Sequence, residues 1–104
     1  MNTDEQDNTV YIDEDLADLI PGFLENRRKD IVEMTKALND VDFECIQSIG
    51  HKMKGAGGGY GFDAITDYGR RLEDAARDAD VDELKLAVDG LSSYLDTVNI
   101  IYEE

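Results

Sequence analysis

Apolar residues recur at steps of three and four through every long segment of the chain, and no run alternates with period two. That periodicity confines the fold to amphipathic helices packed on one another. Ile20, Leu24, Arg27, Ile31, Met34 and Leu38 trace a first long helix, with Pro21 in its first turn, where a missing N–H is tolerated, and Asn39-Asp40 as its stop. A second runs from about Val41 through Phe43, Ile46, Ile49 and Met53 into a cluster of glycines. A third follows Asp63, read as its N-cap, along Ile65, Tyr68, Leu72, Ala75, Ala76 and Ala79. Leu84, Val88, Leu91, Leu95, Val98 and Tyr102 form the last stripe, suited to a bundle seam. Leu16, Leu19 and Ile20 predict a short leading helix that caps one end. Asp67 with Arg71, Arg70 with Asp74 and Glu73 with Arg77 stand at ion-pair spacing on the third helix, each pair worth about 0.2–0.5 kcal/mol. With short connections, these segments predict an all-α fold, an antiparallel up-down four-helix bundle with a short additional N-terminal helix.

At 104 residues the chain is expected to form one domain, with residues 1–12 as a flexible acidic tail and 13–104 as the bundle. The initial methionine and that tail favour a free-standing protein. A net charge of -15 argues against binding nucleic acid or anionic lipid, and no stretch reaches the roughly 20 apolar residues of a membrane span. The polar, acidic start is unlike a secretory signal. Cys45 is the one cysteine, which suits a reducing cytoplasm, and it is expected to pack at a helix flank rather than react. All ten basic residues lie between Arg27 and Lys85, so an anion-handling site belongs in the middle of the chain.

The helix rules are broken there. The second helix must pass through Gly50 and Gly55, and the pattern carries on over Gly57 and Gly58, although an interior glycine costs about 1 kcal/mol relative to alanine. Heavy violations of a local rule tend to mark functional or strained sites. At about 100° per residue, Ile46, Ile49 and Met53 lie about 140–160° around the helix from His51, which therefore faces outward. Lys54 falls about 60° from it, Gly55 about 40° and Gly58 about 20°, while Gln47 and Ser48 flank it one turn below. An exposed imidazole is a nucleophile for the part of its population that is neutral, and bare backbone above it lets another protein approach closely. An ammonium beside it can offset the charge of a phosphoryl group. Taken singly these features are bland: a lone exposed histidine is most often a plain surface residue, and a glycine cluster can equally be a flexible loop. A nucleotide-binding loop is excluded, since Tyr60 stands where a third glycine is needed and no Gly-Lys-Ser/Thr follows. One histidine and one cysteine argue against a metal site.

The run His51-Lys52-Met53-Lys54-Gly55-Ala56-Gly57-Gly58-Gly59-Tyr60-Gly61-Phe62 resembles the signature of the histidine-phosphotransfer (HPt) family, a histidine with lysine at the third position after it, then glycine, small residues and a further glycine. Phe23-Leu24 with the following helix, and Leu72-Glu73-Asp74-Ala75-Ala76-Arg77, extend the resemblance over about residues 16–102. It implies that His51 accepts a phosphoryl group, that Lys54 steadies the phosphohistidine and that Gly55 leaves room for a receiver domain. Gln47, Ser48, Lys52 and Gly58 would lie at the docking surface. Gly50 replaces the alanine that many members carry before the histidine, and slightly lower helix stability is expected from it.

The resemblance implies a cytoplasmic phosphorelay intermediate without kinase activity of its own. It would accept the group from a receiver aspartate and pass it to another receiver. It needs no cofactor, the Mg²⁺ being on the partner receiver domain of a response regulator or hybrid histidine kinase. Two alternatives stand beside this. One is a helical binding module that regulates a kinase or receiver without being phosphorylated. The other is a kinase dimerisation domain, disfavoured because this chain has enough helices to close a bundle as a monomer.

Overall fold

A computed structural model describes residues 8–104. Strand β1 (Thr9–Asp13) and a 3-10 turn (Glu14–Leu16) lead into α1 (Ile20–Asn39), α2 (Phe43–Gly59), α3 (Asp63–Arg77) and α4 (Val81–Thr97), and strand β2 (Asn99–Glu103) closes the order. The main helix contacts run α1 to α2, α2 to α3, α3 to α4 and α4 back to α1, with α2 and α3 the most extensively packed. Each helix thus faces two neighbours around one core. Ile20, Met34, Ile46, Met53, Phe62, Ile65, Leu72, Leu84 and Leu91 are among its fully buried members.

The helix boundaries follow from local chemistry. Asp42 and Asp80 cap α2 and α4, their carboxylates accepting from the N–H of Cys45 and Glu83 at 3.1 Å each. Asp63 is not the cap of α3; Phe62 holds that position with no side-chain bond, and Asp63 sits inside the first turn, where its charge favours the helix dipole. Val41 likewise lies before α2 rather than in it. Val41, Gly61 and Ala79 each take a left-handed φ (55°, 88° and 55°) just past a helix. The residue after each donates its N–H back to the helix, Asp42 to Ala37 O at 2.8 Å, Phe62 to Gly57 O at 2.9 Å and Asp80 to Ala75 O at 2.8 Å.

Four further expectations are corrected. The leading helix is a strand and a 3-10 turn, and residues 9–12 belong to the folded body, with Ile12 buried; the rest of the expected tail, 1–7, lies outside the described residues. The last helix ends at Thr97, so Tyr102 lies on β2, which pairs in parallel with β1 (Thr9 with Asn99 through Asp13 with Glu103). The two strands come from opposite ends of the chain, which is why no hairpin signal announces them. On α1 the buried line is Ile20, Phe23, Met34 and Ala37, while Leu24, Ile31 and Leu38 are half-buried at its margin. Finally, the α3 ion pairs differ: Arg70 binds Asp67 at 3.0 Å, Arg77 binds Asp74 at 3.0 Å, and Arg71 reaches across to Glu83 of α4 at 2.8 Å. Glu73 is thereby free of Arg77 and turns toward α2.

Candidate functional site

Gly50 and Gly57 decide how the site is built. A Cβ on Gly50 would stand 2.7 Å from Glu73 N and 2.9 Å from Gly69 O, and one on Gly57 would stand 2.6 Å from Thr66 N. From the other helix, a Cβ on Gly69 would overlap the backbone of Lys54. These glycines let two helix backbones touch, so Gly50 is a buried packing residue and not a weak point of an exposed helix. Thr66 fastens the contact by donating its hydroxyl to Lys54 O at 3.2 Å.

The close approach brings Glu73 of α3 under the open face of α2. Its carboxylate binds two partners at once, His51 Nδ1 at 2.9 Å through Oε2 and Lys54 Nζ at 2.8 Å through Oε1. The Lys54 hydrogen bond holds the Glu73 carboxyl below the usual carboxylate range, with the His51 bond acting in the same direction and desolvation opposing both. An ionised carboxylate only accepts, so Nδ1 carries the hydrogen that lies between them. The Nε2 lone pair of the neutral ring is then left pointing away from Glu73. The His51 side chain is 68% exposed and that of Glu73 only 15%. The arrangement is an outward nucleophile on a held ring, with a cation one turn along.

Gly55 stands open above the ring, with nothing within 4 Å of where a Cβ would be, and Gly58 meets only Thr66 Oγ1 at 3.7 Å. Ser48 and Lys52 are exposed and border a groove toward α1, lined also by Arg27, Asp30, Glu33 and Cys45; Gln47 is half-buried on the other flank. In that groove Arg27 binds Asp30 at 2.8 Å and lies 4.8 Å over the Phe23 ring. Burial raises the Asp30 carboxyl against the pull of Arg27. Burial, reinforced by the Glu33 carboxylate 3.9 Å from Sγ, raises the Cys45 thiol and keeps it protonated. Among the described residues no group of three or more His, Cys, Asp or Glu is placed to hold a metal ion, and no helix is long and apolar enough to cross a membrane.

The spacing argument brought His51, Lys54, Gly55 and Gly58 to one face, and the structure puts them there. It missed Glu73, which the i, i+4 rule assigned to Arg77. Its one signal was the Leu72-Glu73 segment of the family resemblance.

The site is thus one held histidine beside a lysine and open glycines, displayed on a ring of four helices. Residues 18–99 match the family model of the Hpt domain, and the chain belongs to that family, the phosphotransfer modules of two-component signalling that interact with receiver domains. No curated protein and no solved structure matches the chain.

Proposed function

We propose that His51 is the phosphoacceptor of a phosphorelay, taking the group from a receiver aspartate and yielding it to another receiver. The observation that carries this reading is the shared carboxylate of Glu73, which fixes the imidazole with Nδ1–H inward and Nε2 outward. In the forward step Nε2 attacks phosphorus in line, the N–P bond forms, and the P–O bond to the receiver aspartate breaks. The aspartate leaves as a carboxylate. The Nδ1 proton stays shared with Glu73, which stabilises the positive charge that the ring gains. Lys54 offsets charge on the transferred group, and the receiver's Mg²⁺ supplies the rest. Return transfer reverses each step.

Glu73 is a positioning residue here, acting through His51. Gly55 and Gly58 give the receiver backbone-level access, with Ser48 and Lys52 at one margin and Gln47 at the other. We read the helices as alternately up and down, because connections of three residues reverse a chain between packed neighbours. The carrier works as a cytoplasmic monomer with no kinase activity or cofactor of its own.

The test uses phosphoramidate, a small donor that phosphorylates reactive histidines, with intact mass read under mildly alkaline conditions. One acid-labile phosphoryl group is expected, absent in His51→Gln and discharged by receiver domains with Mg²⁺. Lys54→Ala should shorten the life of the adduct without unfolding the bundle. No adduct in the wild type, or one that receivers cannot remove, would leave a helical module that binds without being phosphorylated, and an adduct that persists in His51→Gln would overturn His51 as the acceptor.

A further inference from the structure

The family match spans residues 18–99, which leaves β1 and nearly all of β2 outside it. Among the described residues the two strands form a parallel pair with no third strand. Asn99 N–H donates to Asn8 O at 3.1 Å, and with the register this fixes the alternation of the ladder. Asn99, Ile101 and Glu103 turn their backbone groups toward β1. Those of Ile100 and Tyr102 point out of the ladder, and among the described residues no backbone bond engages them. The main contact of β2 is with β1 alone. The result is an unpaired edge two N–H and two C=O groups long, the kind of edge that proteins ordinarily cover or blunt.

The side chains around it are apolar at one end and acidic at the other. Tyr11 and Ile101 are register partners on the outer face, 60% and 42% exposed, whereas Tyr102, in register with the buried Ile12, lies on the opposite face and is 41% exposed. One step on, Asp13 stands in register with Glu103, and Glu104 follows. Like charges directly opposite each other destabilise a strand pair, and no basic side chain of the described residues binds either one. A second copy of the chain would bring the same carboxylates to the same place, on a molecule of charge -15.

We propose that the outer edge of β2 takes up an extended segment of a partner protein as a third strand, with an apolar side chain beside Ile101 and, two residues away on the same face, a lysine or arginine against Glu103. Backbone bonds to Ile100 and Tyr102 supply the attachment, and the charge selects a basic segment. This surface is separate from His51 and does not depend on phosphotransfer.

The test titrates the ¹⁵N-labelled full chain with a synthetic extended peptide that carries valine and, two residues on, lysine on the same face, with threonine between them, and with its glutamate counterpart. The basic peptide should shift the amides of residues 99–104 and slow their exchange, while the acidic one does neither. Tyr102→Pro removes an outward N–H and leaves the β1 bonds in place, so affinity should fall at least about tenfold with the thermal midpoint unchanged. Glu103→Lys, which needs no change in backbone, should reverse the preference toward the acidic peptide. Shifts confined to other acidic surfaces, or a preference that Glu103→Lys leaves unchanged, would overturn the proposal. Self-association that Tyr102→Pro abolishes would replace the partner with a second copy.

Discussion

The two sides of α2 use the same residue for opposite ends. Toward α3, Gly50 and Gly57 are packed so closely that a methyl group would strike backbone. Toward solvent, Gly55 and Gly59 meet nothing within 4 Å of a Cβ position. Each glycine lowers helix propensity alike, so propensity cannot tell them apart. The packed pair repays its local penalty inside the molecule, by bringing Glu73 within reach of His51. The open pair makes no such contact in the fold, and Gly55 is where the proposed function has a receiver approach.

The sharpest way to break this comparison is Gly50→Ala. Alanine is the better helix former, yet its Cβ must displace the backbone of Glu73 and Gly69, which has no rotamer to yield. A loss of about 3 kcal/mol is expected, toward the upper part of the range for overpacking, read as a lower midpoint in urea. A neutral or stabilised variant would mean the helices separate easily, and that the packed side is no different from the open one.

Gly55→Ala is the converse. Stability should rise by about 1 kcal/mol, the propensity gain with no contact to lose. Transfer from a phosphorylated receiver should slow about fivefold, equivalent to ~1 kcal/mol of docking, while phosphoramidate labelling of His51 stays unchanged. Equal slowing with both donors would move the effect from docking to chemistry.

Glu73 joins the two sides, and its effect is the smallest. Its folded pKa is lowered, so the stability from its pairing is fully present above the ordinary carboxylate value of 4.5 and is lost as pH falls through the folded one. Glu73→Gln should therefore be less stable than wild type at neutral pH, and the two should converge in acid, as the pH falls below 4.5 and through the lowered folded value. The raised Asp30 works in the other direction and is common to both proteins, so it cancels in the difference. Parallel curves would show that the carboxylate adds nothing that an amide cannot.

The periodicity of apolar residues was sufficient for four helices, and the wheel angles from His51 were sufficient for its exposure and for Lys54, Gly55 and Gly58 beside it. Such facts are local: one helix's geometry converts spacing into direction. Glu73 was not legible, because the choice between Arg77 one turn away and His51 on another helix turns on how near α3 lies to α2. That distance is set by Gly50, Gly57 and Gly69 together, and a glycine reads the same in sequence whether it is packed or bare.

The strands show the same limit at longer range. Thr9–Asp13 and Asn99–Glu103 are each too short to declare themselves, and their partner is at the other end of the chain. Only the folded bundle, by bringing its termini together over Ile12 and Phe62, makes their pairing possible. The sequence by itself determined the helices and the outward face of His51, since both depend on contacts within a few residues. The tertiary structure alone decided which carboxylate holds the ring, which glycines are packing surfaces and where an open strand edge lies, because each depends on the distance between segments that no local pattern encodes.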